Sequence, residues 1–67
     1  MSNTWVKIYT SQQFIKSEIV RQVLVDYEID AVLMNKQDSS YKFGNVEVYV
    51  HPDNFDKAVE IIIQNEL

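Results

Sequence analysis

Val46-Glu47-Val48-Tyr49-Val50 is the stretch that decides the fold. Valine alternates with glutamate and tyrosine, and a period of two is the repeat of a β-strand with one buried face. β-Branched side chains suit such a pleated, half-buried surface. The valines are therefore expected to face a core, with Glu47 and Tyr49 on the opposite side.

Immediately beyond this strand the period changes. Pro52 and Asp53 open a new element, and Phe55, Ala58, Val59 and Ile62 follow at the i, i+3, i+4, i+7 spacing of a helix. Proline is tolerated in a first helical turn, Asp53 is placed to cap it, and Asp56 suits the positive end of the dipole.

On the other side, Gln37-Asp38-Ser39-Ser40 and Tyr41-Lys42-Phe43-Gly44 make a polar connection. Before it, Ile29 to Lys36 alternates, with Ile29, Ala31 and Leu33 against Val32, Met34 and Lys36. Earlier still, Phe14, Ile15, Ile19, Val20, Val23, Leu24 and Tyr27 recur every three or four residues, the broad apolar stripe of a helix ending near Glu28. Thr10-Ser11-Gln12-Gln13 matches a capping box, with Thr10 on the Gln13 amide. The first element is Trp5-Val6-Lys7-Ile8-Tyr9-Thr10, a strand with Val6 and Ile8 on one side and Trp5, Lys7 and Tyr9 on the other.

The order is β-α-β-β-α. Strands joined by a helix run parallel, and the last strand returns as a hairpin that can insert between them. The expected fold is α+β and ferredoxin-like: a three-stranded antiparallel sheet in order 1-3-2, with two helices on one face. It stops before a fourth strand.

Sixty-seven residues make one domain near the lower size limit for a single core. There is no cysteine, so neither a disulfide nor a thiolate metal site can help it. A net charge of −4 argues against a protein that holds nucleic acid by its phosphates or docks on an anionic membrane. Apolar runs are only a few residues long and the start has no signal-peptide pattern, so a cytoplasmic protein is expected.

The ordered segments resemble a bacterial family of small domains described as putative prokaryotic signal-transducing proteins. The resemblance runs from Val6 to about Ile63. It is carried by Val6-Lys7-Ile8-Tyr9-Thr10, Ser17-Glu18-Ile19-Val20, Tyr27-Glu28-Ile29-Asp30-Ala31, Val46 to Asp53 and Ala58. It implies a fold related to the GlnB-like regulators and a role in signalling, with a small-ligand sensor as one form of that role. Members commonly have glycine where this chain has Glu28.

Little in the sequence points to catalysis. His51 is the only histidine, and a general base needs a nucleophile and an orienting group beside it. Asp26, Glu28 and Asp30 could together hold a hard cation, but they lack the glycine and distal glutamate of a calcium loop. One glycine, Gly44, is too few for a phosphate loop or dinucleotide fingerprint. The expectation is a non-enzymatic protein without cofactor or metal.

The informative feature is the other side of the sheet. Alternation puts Trp5, Lys7, Tyr9, Val32, Met34, Lys36, Glu47 and Tyr49 on a face that the helices leave open. Three uses are available to such a face. Its large side chains can pack on one another across strands. It can bind a protein partner or a second copy, helped by strand one as an unpaired edge. Single-stranded RNA can stack on Trp5, Tyr9 and Tyr49, a use the acidic total disfavours. Protein association is the expectation carried forward.

Overall fold

The computed structural model describes residues 4–37 and 44–67 of the chain. Met1 to Asn3, and all of the Gln37–Gly44 connection except its two ends, lie outside the described residues. Strand β1 is Val6–Ser11, helix α1 Phe14–Asp26, strand β2 Ala31–Asn35, strand β3 Val46–Val50 and helix α2 Phe55–Gln64. The sheet order is β1-β3-β2, and β3 pairs antiparallel with both neighbours. This is the expected ferredoxin-like β-α-β-β-α architecture.

Strand β3 holds the centre because its alternation is complete. Val46, Val48 and Val50 are all fully buried. Val48 and Val50 cluster with Val20 and Leu24 of α1, Ile29 beyond it, and Ala58 and Ile61 of α2. Gly44 leads into β3 with φ +103°, and a Cβ there would stand 2.5 Å from the Lys36 carbonyl oxygen. Both the backbone sign and the close approach require glycine at this point. Lys36 N–H then donates to Asn45 at 3.0 Å, closing the β2–β3 pairing.

Helix α1 buries less than its apolar stripe promised. Ser17, Val20 and Leu24 are buried, whereas Phe14, Ile15, Ile19 and Tyr27 are exposed. A sheet of three short strands accepts one narrow ridge of a helix, so the margins of a broad stripe stay in solvent. Ser17 fits the ridge because it is small and because its hydroxyl donates to the Val46 carbonyl at 2.9 Å. A buried hydroxyl without such a partner would cost about 1–3 kcal/mol.

The expected capping box does not form. Strand β1 runs on through Thr10 and Ser11, and Ser11 Oγ accepts the Gln13 N–H at 3.0 Å. A short hydroxyl-to-backbone turn replaces the box. Neither does Asp53 cap α2: Pro52–Asn54 is a separate 3₁₀ turn, and α2 begins at Phe55 with no side-chain cap. The buried positions of α2 are Ala58 and Ile61, with Phe55 and Ile62 packed beside them, so the helix is turned from the expected Phe55–Ala58–Val59–Ile62 stripe toward Ile61.

The two helices end alike. Beyond α1, Glu28 N–H donates to Val25 and Ile29 N–H to Leu24, with Glu28 at φ +66°. Beyond α2, Glu66 N–H donates to Ile63 and Leu67 N–H to Ile62, with Glu66 at φ +56°. Both are Schellman closures, in which Ile29 and Leu67 fold back against the core. A left-handed conformation costs a residue with a Cβ roughly 1–2 kcal/mol, and glycine avoids most of it. Glu28→Gly is therefore expected to stabilise the fold by about 0.5–1 kcal/mol, after allowing for the entropy of glycine in the unfolded chain. Urea denaturation would measure it, and a destabilised variant would show that the glutamate side chain contributes something the turn does not.

Candidate functional site

The open sheet face is built by cross-strand rows. Residues directly opposite in an antiparallel pair project to the same side. Lys7 lies opposite Tyr49, and Tyr49 opposite Val32, which makes one row. Thr10, Glu47 and Met34 make the next. Trp5 and His51 continue beyond the end of β1 and β3, with ring centroids 4.0 Å apart and planes 27° from parallel. Lys36 follows Met34 on the same side of β2 and reaches the carboxylate of Glu47.

One expected member is absent. The β1–β3 register shifts between Lys7 and Tyr9, so that Tyr9 lies opposite Val48 rather than on the Lys7 side. The cause is a β-bulge, which sets two residues against one and reverses the alternation after it. Ile8 and Tyr9 both pack against the helix-covered core as a result. Thr10, not Tyr9, takes the place on the open face. The three-ring platform of Trp5, Tyr9 and Tyr49 that RNA stacking would need is thus not assembled.

Glu47 is the centre of the site. No described helix or strand covers this face, yet the Glu47 side chain is only 8 % exposed. Its own partners lie over it. Lys36 Nζ is 3.1 Å from Oε1, Lys7 Nζ 3.5 Å from Oε2, and the Tyr49 hydroxyl donates to Oε1 at 2.6 Å. The Tyr49 hydrogen bond, then the Lys36 hydrogen bond and the two ammonium charges, hold the carboxyl below its ordinary value. The same contact with Glu47 raises Lys36. Both lysine side chains stay half-exposed, so their remaining N–H donors are open to solvent or to a partner.

The sign of the pH effect follows. Glu47 titrates lower in the folded than in the unfolded chain, so its contribution is present above the ordinary carboxyl value of 4.5. It is lost as pH falls through the depressed value. The half-buried Glu18–Arg21 pair acts in the same direction, since Arg21 lowers Glu18. Lys36 gives a matching limit at the alkaline end, where its contribution is lost as pH rises through its raised value. Glu47→Gln is expected to flatten the acid limb of stability against pH, leaving the slope from Glu18. Thermal melts of both proteins between about pH 3 and pH 7 would check this, and superimposable acid limbs would count against the Glu47 cluster.

The other candidates separate from this face. Asp26, Glu28 and Asp30 are all exposed, and no group of three potential metal ligands comes together among the described residues. His51 is half-buried against Trp5 with no acid or nucleophile bonded to its ring in the contacts described. Its partnership with Trp5 is not legible in the sequence, because it depends on the pairing of β1 with β3; the Val6–Val50 register extended by one step brings the two rings together. No pocket opens among the described residues, and none of their helices is long and apolar enough to cross a membrane.

What the face can do is limited by this chemistry. Among the described residues of the face, the ammonium groups of Lys7 and Lys36 stand against the single carboxylate of Glu47, which leaves one net positive charge. Beside them stand Trp5, Val32 and Met34, respectively 39 %, 40 % and 45 % exposed. That is a flat, mildly basic and partly apolar surface on an acidic chain. Among comparisons with known proteins, the family model described as "Putative prokaryotic signal transducing protein" matches residues 5–66. No curated protein and no solved structure matches the chain.

Proposed function

The chain belongs to the family of putative prokaryotic signal-transducing proteins, and on that premise we propose that it is a non-enzymatic binding module whose contact surface is the open sheet face. The observation that carries this reading is the exposure of Trp5, Val32 and Met34 around a carboxylate that its own neighbours have satisfied. Aromatic residues and methionine are enriched at protein interfaces, and a flat surface suits a protein better than a small molecule. Lys7 and Lys36 favour a partner with acidic side chains at the rim, where charge sets specificity and encounter rate. Action in the cytoplasm belongs to the same proposal.

The test compares capture of host proteins by the wild type and by the Trp5→Ala/Tyr49→Ala double variant, both positions lying off the β2 edge, with Ile15→Ala as a control. Ile15 is 72 % exposed on α1 and away from the sheet. Loss of a central aromatic anchor is expected to weaken capture at least about tenfold, while the control captures normally. Equal capture by a folded double variant would remove the open face from consideration.

A further inference from the structure

The sheet has two outer edges, and they are not equivalent. The edge at β1 carries the bulge at Ile8 and the lysine Lys7, both of which discourage pairing with another strand. The edge at β2 has neither. Its five residues, Ala31-Val32-Leu33-Met34-Asn35, are uncharged, regular in register with β3, and, among the described residues, joined to a strand on one side only. An unprotected apolar edge is a template for another strand.

We propose that β2 is the interface of a symmetric homodimer, in which β2 of one copy pairs antiparallel with β2 of a second copy about Leu33. The segment is self-complementary in that register. Leu33 meets Leu33 of the second copy, Val32 meets Met34, and Ala31 meets Asn35. Just outside the strand, Asp30 at one end meets Lys36 at the other, and the two-fold axis repeats the contact. Opposite charges face each other at both ends of an uncharged strand. A shift of two residues in either direction would break both charge pairs.

The backbone supports the same register. Lys36 N–H donates to Asn45, so the even-numbered residues of β2 bond to β3 and the odd-numbered ones turn their amides outward. Pairing about Leu33 sets outward amides only against outward amides, at Ala31 with Asn35 and at Leu33 with itself.

The helix layer continues the contact. Helix α1 packs against β2 and runs antiparallel to it, its start held to the end of β2 by Gln37 Nε2 donating to the Gln12 carbonyl at 2.6 Å. Phe14 and Val25 lie on one flank of α1, about three turns apart. Tyr27, whose hydroxyl accepts from Asn65 beyond α2, marks the opposite flank. The Phe14–Val25 flank thus borders the β2 edge, and the two-fold axis turns Phe14 of one copy toward Val25 of the other. Phe14, Val25, Val32 and Met34 are each between 40 % and 46 % exposed. A standard interface takes about 800 Å² from each partner, about one-sixth of the 4783 Å² this chain exposes. The β2 edge and the Phe14–Val25 flank behind it, which also carries the Glu18–Arg21 pair, are what each copy would contribute to such an interface.

Cysteine chemistry gives the sharpest test, because the chain has no cysteine of its own. Opposed residues in a hydrogen-bonded antiparallel pair have Cα atoms about 5.5 Å apart, inside the roughly 4.4–6.8 Å range of a disulfide. Leu33→Cys is expected to crosslink to itself on mild oxidation. Ala31→Cys and Asn35→Cys are expected to crosslink when mixed, and not when oxidised separately. Should Leu33→Cys fold poorly, the mixed pair still decides the register. Sedimentation from micromolar to near-millimolar concentration is expected to show a reversible dimer. Asp30→Lys sets two ammonium groups against each other at each end of the paired strands, facing Lys36, and is expected to raise the dissociation constant about tenfold. A monomer throughout that range, a dimer indifferent to Asp30→Lys, or a dimer in which the mixed cysteines fail to pair would overturn the proposal. None of these outcomes depends on whether the open face captures a host protein, so the two readings fail separately.

Discussion

Leu24→Ala is expected to remove about 2–5 kcal/mol of folding stability, which for this chain means losing most of its folded population. A core of this size supplies roughly 3–5 kcal/mol of net stability without a disulfide or metal, and there is no cysteine to provide the former. Leu24 is fully buried at the meeting point of α1, the sheet and α2. Its packing also supports the turn into β2, because Ile29, which folds back through the Schellman closure, lies in the same cluster. Truncation leaves a cavity that a sheet and two short helices cannot easily close. Circular dichroism against urea would read the effect, with Ile15→Ala as a surface comparison expected within about 0.5 kcal/mol of wild type. A Leu24→Ala transition within about 1 kcal/mol of wild type would show that the core does not converge on this residue.

Tyr9→Ala is expected to destabilise by about 2 kcal/mol, because the ring packs half-buried against the core. Were β1 unbulged, Tyr9 would stand beside Lys7 on the open face, and its removal would change stability by a few tenths of a kcal/mol. The paired substitution Thr10→Ala supplies the contrast, since the register places Thr10 opposite Glu47 on the open face. The two outcomes are far enough apart for a single denaturation series to separate them. Equal, small effects at both positions would mean that the bulge is not where the register puts it.

The order of elements was legible because the buried faces are written twice, once as periodicity and once as residue type. Val46, Val48 and Val50 could only be one face of a strand, and the structure buries all three completely. The open face was legible in six of its members by the same alternation, namely Lys7, Val32, Met34, Lys36, Glu47 and Tyr49. Trp5 joins them through its stack on His51. Tyr9 was not legible, because one extra residue in a strand leaves no mark on composition and inverts every assignment after it. Ser17 lies outside the apolar stripe of α1, and only the Val46 carbonyl across the core accounts for its burial.

By itself the sequence determined the class of fold, the sheet order and the existence of an uncovered face, since each follows from short-range periodicity along the chain. Only the tertiary structure decided which side Tyr9 takes, how far the α1 stripe is buried and that Glu47 is sheltered on a face without a helix. Those depend on pairing across strands and on how much surface a three-stranded sheet can offer a helix, and neither quantity is local to any stretch of sequence. The same holds for the two edges. Alternation predicts a strand from Ile29 to Lys36, but the register with β3 is what turns the amides of Ala31, Leu33 and Asn35 toward the free edge.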